Sequence, residues 1–345
     1  MPRLRALPED FQVDEVPLYP ASGEGDHTFV HVEKRLRTTE EVARALARAA
    51  QVAPREVGYA GRKDRRGVTR QWFSVPGLAP ERALELSWPG VQVLTAARHR
   101  HKLRTGQLRG NRFRIVVREV GADDCRDAEA ALSRLCRTGL PNRYGVQRFG
   151  TDGRNADRAR HLLAGNGAVG NRREARFLVS ALQSAVFNRV LAERGAEFDR
   201  VRAGDVAVVH ASGGLFVVDD PALEAPRAAT FEISPTGPIF GTRVIAPQGA
   251  TAETEARALA EFGIDPENLR PPRGIRLRGG RRPLRVHLER VAVERIDHEL
   301  RLEFTLPAGS YASVLLEEIL GGGKGLDDSI AGGGVSSARQ EGGLP

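Results

Sequence analysis

The run Val57-Gly58-Tyr59-Ala60-Gly61-Arg62-Lys63-Asp64-Arg65-Arg66-Gly67-Val68-Thr69-Arg70-Gln71-Trp72-Phe73 sets a single carboxylate between two pairs of cations. No other acid lies between Arg62 and Arg70. Nearby cations favour the ionised form of a carboxylate, which suits a nucleophile better than a general acid. The segment before Asp64 is small and apolar, and the segment after it alternates as a strand does. The plain alternative is a basic turn in which Asp64 caps or pairs with its neighbours, since structural ion pairs perturb carboxylates too.

The chain has 345 residues, enough for two domains or for one domain with an insertion. Its hydrophobic content of 41% permits a sizeable core. The net charge of +8 points to an acidic partner, with nucleic acid the common case and an acidic membrane surface the rival. Of the 52 basic residues only Lys34, Lys63, Lys102 and Lys324 are lysines. Arginine forks onto phosphates and stacks on bases, so the bias agrees with nucleic acid, although coding in a GC-rich genome produces the same skew. Two cysteines, Cys125 and Cys136, cannot build a disulfide framework or a four-cysteine zinc site, and both are expected to pack within one helix. No secretory pattern opens the chain and no apolar run approaches 18 residues, so a soluble, cytoplasmic protein is expected.

Working outward from the opening stretch, residues 3–16 read as a lead-in to a strand, and Thr28 to Val32 as another. Thr38-Thr39-Glu40-Glu41 is a capping box ahead of Val42, Ala45, Leu46 and Ala49 at helical spacing. Gln71 to Val75 and Arg112 to Glu119 are strands, the latter with Phe113, Ile115 and Val117 on one face. Ala128 to Cys136 is a helix. After Gly139-Leu140-Pro141-Asn142 come helices over Asn155 to Leu163 and Glu174 to about Arg194. Short strands follow at Val206 to Val209 and Leu215 to Val218, then long ones at Leu284 to Ile296 and Glu299 to Leu306, and a helix from Ser313 to Leu320. The pattern predicts an α+β protein with a mostly antiparallel sheet, begun by residues 1–138 and completed by 286–320. Residues 139–285 read as an insertion and 321–345 as a disordered Gly-rich tail.

Two tracts carry cations without acids. Eight Arg/Lys residues fall between Arg98 and Arg118, and seven arginines between Asn268 and Leu288. Such tracts read as phosphate contacts with steep salt dependence. Aromatics make up only 6% of the chain, and Phe11, Phe113 and Tyr311 each sit where a turn meets an element. A ring there can face a pocket and hold an unpaired base, or it can pack in the core. His99 and His101 have no ligand partners at metal spacing, and no P-loop, dinucleotide fingerprint or nucleophile elbow occurs.

These residues resemble the tRNA pseudouridine synthase D (TruD) family. Beside Gly58 to Trp72, five segments agree in order: Pro8 to Phe11; Lys102 through Phe113; Pro141-Asn142-Arg143-Tyr144-Gly145-Val146-Gln147-Arg148-Phe149-Gly150; Phe177 to Asn188, more weakly; and Leu306 to Ala312. The resemblance implies a pseudouridine synthase-type mixed, mostly antiparallel sheet flanked by helices, with a family-specific inserted α/β domain. It places Asp64 at the nucleophilic aspartate and Arg5 at a basic residue that pairs with it. It places Phe11, Asn111 and Phe113 in the target-uridine pocket, and Tyr311 where the family often has Phe. The implied reaction is isomerisation of a tRNA uridine, usually uridine 13, and it needs no metal or other cofactor. Nothing in the sequence suggests an obligate dimer, so a monomer is expected, with tRNA as partner and neither DNA nor a membrane. The target must leave the base stack. Attack of Asp64 at ribose C1′, attack at base C6 and assistance of elimination at the sugar all remain open. The competing readings are a non-catalytic basic RNA-binding protein or chaperone, and an RNA phosphodiesterase.

Overall fold

Alternating side chains set the strands that open the chain. The computed structural model describes residues 2–150, 152–167, 169–265, 271 and 274–321. A two-residue strand, β1 (Arg3–Leu4), and a helical turn at Pro8–Asp10 lead into β2 (Phe11–Pro17) and then β3 (His27–Arg35). Thr38 caps α1 (Thr39–Ala49): its hydroxyl accepts from the Glu41 amide at 3.1 Å, and the Glu41 carboxylate accepts in return from the Thr38 amide at 2.6 Å. Next come β4 (Gly58–Tyr59), β5 (Val68–Pro76), α2 (Pro80–Leu84), β6 (Ser87–Trp88), β7 (Val91–His99) and β8 (Leu108–Arg118). Helix α3 (Ala122–Thr138) carries both cysteines; Cys125 is buried but Cys136 is exposed, which corrects the expectation that both pack.

The middle of the chain holds β9 (Leu140–Pro141), α4 (Asn155–Leu163), α5 (Arg172–Arg194), β10 (Val206–Val209), β11 (Leu215–Val217), α6 (Pro221–Ala229), β12 (Ile233–Ile239), α7 (Gly249–Glu261) and β13 (Gly280–Pro283). Strands β10 to β13 form their own four-stranded sheet, in the order β11-β10-β12-β13. The chain then returns through β14 (Arg285–Val286), β15 (Glu289–Ile296), β16 (Glu299–Pro307) and α8 (Ala312–Ile319). The single strand expected over Leu284 to Ile296 is therefore two. Arg285 explains the break. It is buried at 1% exposure, stacks on Phe231 at 4.1 Å, and donates to the Thr138 carbonyl and the Ser234 hydroxyl at 3.0 Å each. Those bonds commit β14 to β9, and only β15 joins the main sheet.

That main sheet has ten strands, ordered β15-β16-β8-β2-β5-β3-β7-β6, with β1 beside β8 and β4 beside β5. Every pairing in it is antiparallel except β2 with β5. It is thus built from residues on both sides of the middle section. Helices α3 and α8 cover one core, where Leu132, Leu135, Leu315 and Ile319 pack on Phe113, Ile115, Leu302 and Phe304. Helix α1 covers a second, laying Val42 and Leu46 on Val30, Val32 and Phe73. The fold is α+β, mostly antiparallel. The expected Gly-rich tail lies outside the described residues.

Candidate active site

The one parallel pairing of the main sheet builds the site. Strands β2 and β5 enter the sheet from the same end, with Gln12 opposite Val68. The segments that precede them, carrying Arg5 and Asp64, therefore meet. Gly67 permits the approach: a Cβ there would lie 2.3 Å from the Phe11 carbonyl oxygen. Arg5 has φ of 56°, in the left-handed region that non-glycine residues avoid at a cost of about 1 kcal/mol or more. That turn sets its guanidinium 4.0 Å over the Phe11 ring and puts Nη2 2.8 Å from Asp64 Oδ2. The Asp64 Oδ1 atom accepts from the Arg66 amide at 3.0 Å. Asp64 does cap its own turn, as the plain reading supposed, yet its side chain keeps 30% exposure.

The loop around Asp64 is lashed down on several sides. Lys63 pairs with Glu15 of β2, both nearly enclosed, and Glu15 also accepts from the Trp72 amide at 3.2 Å. The Lys63 amide donates to Thr39 Oγ1 at 3.0 Å, and that hydroxyl donates to Gln71 at 2.8 Å. Lys34 Nζ donates to the Asp64 carbonyl at 2.7 Å and the Arg37 carbonyl at 2.8 Å, with the Lys63 carbonyl at 3.4 Å. Burial lowers the Lys34 pKa to about 8, against the attraction of Asp64.

Register links this loop to the remaining expected residues. Phe11, Val13 and Glu15 lie opposite Ile115, Phe113 and Asn111 of β8, and those lie opposite Leu302, Phe304 and Leu306 of β16. Side chains two apart share a face, so the three rows point one way. The rows are apolar except at Glu15 and Asn111, which face each other across β2 and β8. Asn111 Oδ1 is buried and has no hydrogen-bond partner among the described residues, an unusual vacancy for a buried acceptor. Phe113 packs edge-on to Phe11 at 6.2 Å and stacks on Phe304 at 5.2 Å, and both Phe11 and Phe113 are under a tenth exposed. Their rings sit within the apolar core and present little free face. Tyr311 is half-buried against the same core, and its ring centre is 6.1 Å from that of Tyr144. Burial raises the Tyr311 pKa, so its hydroxyl stays protonated near neutrality. Arg5 touches both Asp64 and Phe11, Asn111 and Phe113 follow along β8, and Tyr311 borders the row just after β16.

The structure corrects the reading of the arginine tracts as phosphate contacts throughout. Arg114 pairs with Asp14 at 2.7 Å, Arg118 with Asp10 at 2.7 Å and with Glu299 at 2.5 Å, and Arg100 and Arg112 pair with Glu24 and Glu303. Asp14, Glu299 and Glu303 come from neighbouring strands, Asp10 from the turn before β2 and Glu24 from the loop before β3. In the second tract, Arg281 pairs with Glu255 at 2.6 Å, Arg282 lies 4.2 Å over Tyr144, and Arg285 is the buried residue at the junction. Arg270 and Arg273 fall outside the described residues. Arg104, Arg109, Arg276 and Arg278 are exposed and have no carboxylate partner among the described residues. No described helix is long and apolar enough to cross a membrane.

Sequence reading missed Lys34, Lys63, Glu15, Thr39 and Gln71 as parts of the site. For Lys34 a signal existed: it continues the inward row of Val30 and Val32, and it is one of four lysines among 52 basic residues. The other four depend on contacts that local pattern does not encode.

Comparison with known proteins agrees with this architecture. A sequence model of tRNA pseudouridine synthase D (TruD) matches residues 2–167 and 171–319. A tRNA pseudouridine synthase D of Geobacter metallireducens is 40% identical, with 93% of this chain and 95% of that protein covered. One of Thermus thermophilus is 45% identical, with 92% and 88% covered. A solved structure from Methanosarcina mazei assigned to TruD superposes with a TM-score of 0.72 at 21% identity, covering 92% of this chain and 93% of that one. On this match, which spans nearly the whole described chain, the protein belongs to the tRNA pseudouridine synthase D family.

Proposed function

We propose that this chain converts uridine 13 of tRNA to pseudouridine, with Asp64 as the residue that acts on the extruded nucleotide. Family membership supports tRNA uridine isomerisation as the activity; the position and the residue roles are our reading. Uridine is joined to ribose through N1. The reaction breaks the N1–C1′ bond, turns the base and forms a C5–C1′ bond, releasing the C5 proton. The observation that carries the reading is the Asp64 carboxylate, gripped by Arg5 at 2.8 Å yet still 30% exposed. An anion that is held but not enclosed can reach a reacting carbon. Asn111 Oδ1, with its open acceptor, would take the uracil N3–H. Phe11 and Phe113 form the apolar floor, and Tyr311 a wall. Attack at C1′, attack at C6 and assisted elimination are each compatible with this placement.

The exposed arginines without carboxylate partners, Arg104 and Arg109 among them, are the ones we assign to phosphate contacts. We take residues 139–285 as a separate inserted domain that helps clamp the RNA, and the enzyme as a cytoplasmic monomer. The test uses tRNA tritiated at uridine C5. Wild type should release the label, and Asp64→Asn should bind the tRNA and release none. Release by the Asn variant would remove Asp64 from its role, and binding without release by wild type would favour an RNA-binding protein instead.

A further inference from the structure

Lys34 is more deeply enclosed than a basic residue ordinarily is. It is 0% exposed, near the end of β3, opposite Thr69 of β5 and Val91 of β7. An ammonium group has three protons to donate. Here three backbone carbonyls face them, those of Arg37, Lys63 and Asp64. No carboxylate hydrogen-bonds to Nζ among the described residues. Burying a cation without a counter-ion in contact is unfavourable, and an apolar side chain would continue the row of Val30 and Val32. The charge is explained if it has a task. Two of its three acceptors belong to the residue proposed to react and the residue before it.

We propose that Lys34 is a positioning residue for Asp64: its ammonium clamps the Lys63 and Asp64 carbonyls to the end of β3, so that the carboxylate keeps its place against Arg5. Arg5 and the Arg66 amide fix the tip of Asp64, and Lys34 fixes its root. Lysine suits the task better than arginine, because three diverging protons can converge on three carbonyls where a planar fork cannot. The charged groups that face Nζ are Asp64 and Lys63 from the loop and Glu40 and Glu41 from α1. In support, burial brings the Lys34 pKa down to about 8. A neutral amine has two donors and a lone pair, and that lone pair would face a carbonyl. The clamp therefore opens in mildly alkaline solution.

The inference rests on the Asp64 reading, and one set of measurements separates the two. Label release from C5-tritiated tRNA is followed from pH 6 to 9.5 for wild type, Lys34→Met, Glu40→Gln and Asp64→Asn, with thermal melting and tRNA affinity measured for each. Wild-type kcat should fall above about pH 8 with little change in KM. Lys34→Met should lose on the order of 100-fold in kcat at pH 7, hold KM within about threefold, and show no alkaline fall near pH 8. Glu40→Gln alters a half-buried residue of α1 that pairs with Arg62, and should move the alkaline fall to lower pH, because it removes a charge that favours the ammonium. A folded Lys34→Met with wild-type kcat, or with the same alkaline limb, overturns the clamp. Should Lys34→Met fail to fold, an alkaline limb that Glu40→Gln leaves in place overturns it. Label release by Asp64→Asn overturns the Asp64 reading itself, whereas an inert Asp64→Asn beside an unaffected Lys34→Met overturns the clamp alone.

Discussion

Two Arg–Asp pairs in this chain hold opposite positions. In the middle section, Asp205 takes both arms of Arg194 at 2.9 and 2.6 Å, the Thr251 hydroxyl at 2.7 Å and the Arg202 amide at 2.8 Å. Its side chain is 2% exposed and all four acceptor positions are filled. Asp64 has one contact from Arg5 and one from the Arg66 amide, and is 30% exposed. The first carboxylate is a joint, with nothing left to offer a visitor. The second is restrained but unfinished. The physical difference between these aspartates lies in how many of their lone pairs the fold has already used.

The sharpest way to break this contrast is to neutralise each acid in turn. Asp64→Asn should lower turnover by about a thousandfold or more, some 4 kcal/mol of barrier, and shift stability by under about 1 kcal/mol. Tritium release and urea unfolding measure the two. Asp205→Asn should do the reverse. It leaves Arg194 enclosed without its counter-ion, so unfolding should become about 3–5 kcal/mol easier while turnover per folded molecule is largely kept. If the two variants behaved alike, the distinction between joint and reactive group would fail.

Lys34 sharpens the comparison as a fully buried charge whose ammonium is held by carbonyls. Its pKa is about 8 in the folded protein against 10.5 for an ordinary lysine. Between those values the unfolded chain holds more protons, so stability should rise with pH over that window, by about 3 kcal/mol in all. Below pH 8 both states are charged and the contribution stays at its minimum. Chemical unfolding at pH 7.5 and 10 checks this, with Lys34→Met as the reference that lacks the rise. Arg5→Met should cost about 10–100-fold in turnover, near 1.4–2.7 kcal/mol, since it leaves Asp64 tethered by its backbone but unsteadied at the tip. Tyr311→Phe should change turnover by less than about threefold, because the ring is kept and the hydroxyl has no assigned proton to move.

Much of this was written locally. The capping box at Thr38 marked the start of α1, Asn155 to Leu163 emerged at the bounds expected, and the alternation of Phe113, Ile115 and Val117 marked the buried face of β8. The Asp64 run and the ordered motifs brought the candidate residues together before any coordinates. What local pattern missed was set by distant partners. The acid-free tract from Arg98 to Arg118 reads as a free basic strip, yet Glu24, Asp14 and Glu303 arrive from segments far away in sequence to pair with it. The expected strand over Leu284 to Ile296 failed for a similar reason: the contacts that break it belong to Thr138, Ala228 and Ser234. The Lys34 clamp is likewise invisible until a loop some thirty residues onward folds over it.

The placement of β16 has a consequence for how the protein comes into being. Phe304 lies face to face with Phe113, and Leu306 stands opposite Asn111, so the flank of the pocket is made from a strand near the end of the described residues. A nascent chain halted after the middle section already carries Arg5, Asp64 and Asn111 but leaves the edge of β8 bare. Translation thus delivers the reactive group early and the wall beside it late, and competence should arrive abruptly, when the final strand slides home.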